Sequence, residues 1–339
     1  MATPKISVTM PCYNCGDTVG RALDSLLAQT STDFEIVAVD DGSTDNTAGV
    51  LAEYARRDSR IRTFAIEHGG VIAAANAAIQ AATGEYIARM DADDEALPER
   101  LAAQSNLLDE NPDVGLVGCR IRFGGCRDKC AGYAHYVDWT NTLLTPESIN
   151  LNQFVEFPVP NPSIMFRQSC VEDHGPYQDG NFPEDYELLL RWLEAGVNMA
   201  KVDEELLIWN DPPTRLSRNH PRYDVSAFYR IKTEYLARWL ATNNPHHSTV
   251  HILGSGRTTR KRADLLLAHG VDFAAYYDID PRKIGHIVNG VKVIDRNDIP
   301  PAGEAFCIPY VASRGAREEI AEFLAERGYV LGKDYIPAA

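Results

Sequence analysis

Glu85-Tyr86-Ile87-Ala88-Arg89-Met90-Asp91-Ala92-Asp93-Asp94 decides the fold: a short apolar run, Glu85–Met90, passes directly into a cluster of acids. Such a run reads as a buried strand, and Pro98 just beyond it predicts the first turn of a helix. Working outward, the same order recurs three times upstream. Ile6–Met10 ends at Pro11 and is followed by Thr18–Gln29, with Val19, Ala22, Leu23, Leu26 and Leu27 at helical spacing. Phe34–Val39, apolar apart from Glu35, leads into Asp40-Asp41-Gly42-Ser43-Thr44-Asp45 and a helix with Val50, Leu51, Tyr54 and Ala55 on one face. Ile61–Ile66 leads through Gly69-Gly70 into the alanine-rich Val71–Ala82. Four strand-to-helix units within about 110 residues predict an α/β fold with a doubly wound, mostly parallel sheet. Sheets of this kind bind ligands beyond the carboxyl ends of their strands, so Pro11–Asn14, Asp40-Asp41 and Asp91–Asp94 should converge on one cleft.

The chain is 339 residues long, which at roughly 150 residues per domain predicts about two domains. Hydrophobic residues at 45% and charged residues at 24% are ordinary for a globular protein and exclude disorder, collagen and coiled coil. The net charge of −15 argues against nucleic acid or an anionic membrane as the main partner. An acidic ligand must then be held locally, by a cation or by backbone N–H groups. No apolar run approaches the ~18 residues of a membrane span, and Met1–Ser7 lacks a signal peptide's apolar core, so a cytoplasmic protein is expected.

Downstream of Val114–Gly118 the periodicity is broken by Gly, Pro and Asn, as expected of an irregular, substrate-shaping half. Within it, Ser163–Arg167 reads as a strand, Glu184–Ala195 as a helix with Leu188, Leu189, Trp192 and Leu193 apolar, and Phe228–Trp239 as a helix. Thr242–Ser248 is polar and linker-like. The α/β pattern then restarts: strand Val250–Leu253, Gly254-Ser255-Gly256, helix Arg260–His269, strand Phe273–Tyr277, strand Phe306–Tyr310 and helix Glu318–Arg327. The expected division is a catalytic domain at 1–220, a helix and linker at 221–248 and a small Rossmann-like α/β domain at 249–339. Gly254-Ser255-Gly256 would begin a dinucleotide fingerprint, but Thr259 stands where the third glycine would be.

The seven cysteines, an odd number spread from Cys12 to Cys307, predict reduced thiols. Cys12-x-x-Cys15 has redox spacing, and Cys119, Cys126 and Cys130 lack the fourth ligand and paired spacings of a zinc site. Asp91-Ala92-Asp93-Asp94 offers hard oxygen ligands of the kind that suit Mg²⁺ or Mn²⁺ with a diphosphate, while an isolated acidic loop would be equally ordinary. Its company shifts the reading: Asp40-Asp41 and Pro11–Asn14 on other strand ends, and Glu184-Asp185 at a helix start.

In five ordered blocks the sequence resembles glycosyltransferase family 2 over roughly residues 4–220. They are Val8–Asn14, Val39–Asp45, Ala75-Asn76-Ala77, Gly84–Asp94, and Glu184–Leu188 running on to Arg191-Trp192. The resemblance implies a GT-A-type fold and inverting transfer of a sugar from a nucleotide diphosphate donor, usually a UDP-sugar, to an acceptor hydroxyl. It further implies that Pro11, Tyr13 and Asn14 surround the base, with Asp40 accepting from uracil's ring NH. Asn76 would serve the donor, Asp91 with Ala92 would lie near the ribose and Arg89 near the diphosphate. Asp93 would ligate the cation, with His220 as a late metal or diphosphate ligand. Asp185 would be the general base and Glu184 would orient the acceptor. At a helix N-terminus, Asp185 is expected to stay ionised through the helix dipole. Two departures stand out. Ala75 precedes Asn76 where many members carry Arg, and Leu188 stands where processive relatives carry Gln, which points to single-sugar addition. The C-terminal domain resembles a small α/β domain at the ends of some sugar-modifying enzymes and is expected to serve oligomerisation or acceptor binding. The competing readings are an NAD(P)-linked oxidoreductase using Gly254–Gly256 and a non-catalytic nucleotide-sugar-binding protein.

Overall fold

The computed structural model describes residues 3–212, 215–313 and 315–339. These group into two compact units, Met1–Ile149 with Val159–Tyr223, and Asn150–Pro158 with Asp224–Ala339. The second unit takes the helix Val225–Asn243 because that helix is stitched to it: Lys232, wholly buried, donates to the carbonyls of Ala338 at 2.7 Å and Val155 at 3.4 Å.

The first unit is built on β1 (Ile6–Cys12), β2 (Phe34–Asp40), β3 (Ile61–Ala65), β4 (Tyr86–Arg89), β5 (Glu95–Ala96), β6 (Val114–Phe123), β7 (Met165–Arg167) and β8 (Asn198–Trp209). They form one sheet in the order β3-β2-β1-β4-β7-β6-β8-β5. The first four are mutually parallel, β7 runs antiparallel to β4 and β6, and β8 is parallel to β6. Side chains alternate across a strand, and β2 uses both faces. Ile36 and Ala38 pack with Val19, Leu23, Leu26 and Leu51 of two helices, while Val37 and Val39 pack against Ala74 and Ala78 of the helix Val71–Ala81. Double coverage explains the unbroken apolar run. Glu35, its one acidic member before the strand end, is buried but satisfied by Ser7 Oγ at 2.6 Å, Arg62 Nη1 at 2.6 Å and Thr83 Oγ1 at 2.7 Å.

Two sequence expectations need correction. The helix after the acidic turn begins at Arg100 rather than Pro98, with Pro98 and Glu99 in the turn before it. The stretch after Gly118 is more regular than expected, because β6 continues to Phe123 and pairs along its length with β8. Exposed Asp203, Glu204 and Glu205 and a register shift interrupt the alternation of β8, which hides it in the sequence.

The second unit carries β9 (Thr249–Leu253), β10 (Asp272–Asp278), β11 (Ile287–Val288), β12 (Val291–Asp295) and β13 (Cys307–Pro309) in the order β11-β12-β10-β9-β13. All neighbours are parallel except the β11–β12 hairpin, as a small doubly wound domain requires. Among the described residues no helix is long and apolar enough to cross a membrane.

Candidate active site

The carboxyl ends of β1, β2 and β4 carry the residues singled out by sequence. After β1, Tyr13 is 46% exposed and stacks on the His68 ring with centroids 4.2 Å apart. Asn14 adopts a positive φ of 47°, donates its N–H to Ser43 Oγ at 2.9 Å and accepts from Thr44 N at 2.8 Å. Pro11 is the half-buried penultimate residue of β1. Asp40 is buried and accepts the Ser43 N–H at 3.1 Å, closing the turn after β2. Asp41, buried beside it, accepts from the Gly69 and Gly70 amides at 2.8 and 2.9 Å and lies 2.9 Å from His68 Nδ1. Gly70 at φ 87° makes this approach possible, a conformation costly for other residues. The loop before the helix Val71–Ala81 is thereby fastened to the end of β2. His68 was not singled out by sequence, whereas Asp41 was, as part of the acidic pair at the end of β2.

Asn76 on that helix uses both ends of its amide on the Tyr177 backbone, donating to its carbonyl at 2.9 Å and accepting its N–H at 3.2 Å. It therefore fixes the 177 loop. Arg89 ends β4 at 4% exposure, and its Nη2 donates to Asp91 at 2.5 Å. Its Nε and Nη1 are buried and find no hydrogen-bond partner among the described residues. Burial opposes its charge, and the carboxylates of Asp91 and Glu184 support it.

Asp91, Asp93 and Asp94 bring one carboxylate oxygen each within 4.8 Å of one another. Burial and then Asp91 push the Asp93 carboxyl up to about 6. Asp94, fully enclosed, is raised by burial and by both neighbours, although it accepts the Asn210 N–H at 2.8 Å. Ala92 is buried between them. Crowded carboxylates that resist ionising are what hard cation ligands look like without a cation, so the donor set fits Mg²⁺ or Mn²⁺. His220 lies outside this group; it is exposed, and its Nδ1 accepts the Arg222 N–H at 3.2 Å. Asn210 is an addition that sequence reasoning did not make, whereas Asp94 belongs to the acidic run already read as offering hard oxygen ligands.

Asp185 sits in the first turn of the helix Glu184–Glu194 and accepts its neighbour's N–H, Tyr186 N, at 2.8 Å. The expectation of a depressed carboxyl fails. Burial first, and the charge of Glu184 second, push it up to about 7, with Asp91 adding to the rise. The helix dipole is outweighed by desolvation and like charge. Glu184 is 5% exposed and accepts the Tyr223 hydroxyl.

Residues 7–175 match the family model described as Glycosyl transferase family 2. EpsJ of Bacillus subtilis strain 168, described as an uncharacterized glycosyltransferase, is 40% identical over 225 residues, 63% of this chain and 63% of EpsJ. Residues 7–175 form a glycosyltransferase family 2 domain. The chain spans less than two thirds of EpsJ's length.

Two solved structures share the fold. TarS 1-349 of S. aureus, in complex with UDP-GlcNAc, superposes with a TM-score of 0.52 at 18% identity, covering 78% of this chain and 79% of that one. The mannosyltransferase PcManGT of Pyrobaculum calidifontis, in complex with GDP-Man and Mn²⁺, gives 0.51 at 18% identity, covering 80% and 70%. The oxidoreductase alternative would need Asp278, at the end of β10, for a ribose. That carboxylate already has four donors: Ser255 N at 2.9 Å, Ser255 Oγ at 2.5 Å, Lys283 Nζ at 3.0 Å and Asp280 N at 3.0 Å. Although burial opposes it, the Ser255 hydroxyl and its companions hold the group at about 2. The seven cysteines are free thiols, with Cys12, Cys119, Cys170 and Cys307 buried.

Proposed function

We propose that the protein is a metal-dependent, inverting glycosyltransferase that moves a sugar from a nucleotide diphosphate donor, a UDP-sugar, to a hydroxyl of a glycan or other acceptor. One observation carries the reading: Asp185 is poised at about 7 within electrostatic reach of Asp91, the first carboxylate of the acidic turn. A base works best when its pKa lies near the operating pH. The complexes of TarS with UDP-GlcNAc and of PcManGT with GDP-Man and Mn²⁺ support the donor class and the cation.

In this reading the ends of β1 and β2 receive the nucleoside, with Tyr13 offering a ring face and Asp40 a carboxylate. Asp91, Asp93 and Asp94 would hold Mg²⁺ or Mn²⁺, which would supply positive charge to the departing diphosphate. Asp185 takes the proton of the acceptor hydroxyl as its oxygen bonds to the anomeric carbon. The bond from that carbon to the diphosphate oxygen breaks on the opposite face, so the configuration inverts and the nucleoside diphosphate leaves with the electron pair. Arg89, buried beside Asp91 with its Nε and Nη1 unpartnered among the described residues, keeps a positive charge under this cleft.

The deciding experiment follows UDP release from a panel of UDP-sugars with simple glycan acceptors, with Mn²⁺ and with chelator. UDP release that requires both acceptor and cation is expected. Asp185→Asn should reduce turnover by ~10²–10⁴-fold while leaving UDP binding intact. Parent turnover should climb as pH rises through about 7, because the base acts only after losing its proton. Turnover of Asp185→Asn within threefold of the parent would sink the base assignment.

A further inference from the structure

The chain that follows β8 comes back to the site, and its described residues 215–223 are tied at both ends. At the near end, Arg215 Nη1 donates to the Asn210 carbonyl at 3.2 Å, and its guanidinium lies 3.7 Å from the centre of the Trp209 ring. Asn210 in turn donates its N–H to Asp94 and its amide Nδ2 to the Asp93 carbonyl, each at 2.8 Å. At the far end, the Tyr223 hydroxyl reaches both oxygens of Glu184, at 2.7 and 2.8 Å. Arg222 supports the same end, with Nη2 donating to Asp179 at 2.6 Å and Nη1 lying 3.7 Å from Glu184 Oε2. The strap thus runs from the acidic turn to the first turn of the helix that carries Asp185.

Glu184 and Asp185 are adjacent carboxylates in that first turn, and of the two it is Glu184 that the Tyr223 hydroxyl occupies. A buried carboxylate must be given donors or it gives up its charge. Tyr223 supplies one to both oxygens of Glu184. Burial and the charge of Glu184 hold the phenol far above its ordinary range, so it stays protonated and remains a donor. Asp185 is held by backbone N–H groups of this turn, Tyr186 N at 2.8 Å among them.

We propose that Tyr223 is a positioning residue for sugar transfer: by engaging both oxygens of Glu184 it fixes the first turn of the helix Glu184–Glu194 and leaves Asp185 as the carboxylate that meets the acceptor hydroxyl. The inference rests on the glycosyl-transfer reading above. Its opposite is also chemically definite. If the phenol merely occupied the place of an acceptor hydroxyl on Glu184, removing it would speed the reaction.

The test uses full-length Tyr223→Phe beside the parent enzyme. A parent that releases no UDP from any donor overturns the glycosyl-transfer reading, and this inference with it. With an active parent, kcat of the variant should fall about tenfold while the donor KM stays within twofold, because the loss lies in orientation and not in donor binding. Amide exchange at Tyr186 and Glu187 should also quicken in the variant without ligand, a readout that needs no activity. Glu184→Gln, which keeps an acceptor for the Tyr223 hydroxyl, should retain more kcat than Glu184→Ala. An unchanged or increased kcat in Tyr223→Phe, unchanged exchange in that turn, or equal losses in the two Glu184 variants would each overturn the proposal.

Discussion

Asp93 shows how one residue's surroundings would set a condition on the proposed reaction. Its carboxyl, lifted to about 6 by burial and by Asp91, must lose its proton before it can ligate a cation. Mn²⁺ affinity should therefore fall at least about tenfold between pH 7 and pH 5, since Asp93 and its raised neighbour Asp94 must both be free of protons to ligate the ion. Calorimetry across that range checks it, and an affinity indifferent to pH would remove Asp93 from the ligand set. At this scale the sequence was legible wherever the chain itself delivers a residue to the cleft: Asp40, Asp91 and Asp93 follow strands, and Asp185 starts a helix after Pro183. It was silent on Tyr223, which meets Glu184 across 39 residues, and on Asn210, which meets Asp93 across 117. Nothing local marks either of them, because their roles exist only after the fold has closed. The protonation of Asp185 was misread for a related reason. A helix N-terminus can be seen in sequence, whereas the desolvation that outweighs it cannot.

Among the elements, β8 was one that periodicity failed to announce, and it holds a feature that can be tested by itself. Lys201, 4% exposed on this strand, donates to the Thr140 carbonyl at 2.5 Å and to its hydroxyl at 2.7 Å, joining β8 to the end of the helix Ala131–Thr140. Burial pushes its ammonium down to about 7. The folded pKa therefore lies below the unfolded value of about 10.4. Lys201 costs the fold nothing above pH 10, its penalty grows as pH falls toward 7, and it is constant below that. Replacing it by Met removes the penalty along with two hydrogen bonds. Relative to the parent, Lys201→Met should therefore gain stability between pH 9.5 and 7.5 by about 1–3 kcal/mol. Urea unfolding at the two pH values measures it, and a difference that does not change with pH would show that the amine is already solvated. The early elements were easy to anticipate because β2 is apolar on both faces and its helices carry clean stripes. Of the later ones, β7 was still legible at Ser163–Arg167, while the acidic bulge of β8 hid that strand.

For the whole molecule, the charge of −15 matters more to ligand capture than to folding. A nucleotide diphosphate is itself an anion and approaches a repelling surface, whereas a divalent cation is drawn toward it. The acidic turn is one local expression of a field that the rest of the surface reinforces. That field is screened by salt: the Debye length shortens from about 30 Å at 0.01 M to about 8 Å at physiological strength. Mn²⁺ binding to the unliganded protein should therefore weaken several-fold between those two ionic strengths. The cost should fall mainly on association, since carboxylates within 4.8 Å of one another keep their short-range hold on the ion once it arrives. Uridine, which lacks the phosphates, should bind with little response to the same change in NaCl. Titrations with Mn²⁺ and with uridine at the two ionic strengths separate the effects. Mn²⁺ affinity that is flat or rising with salt would mean that the acidic turn captures its cation without help from the remaining charge, and that the acidity of the protein serves solubility alone.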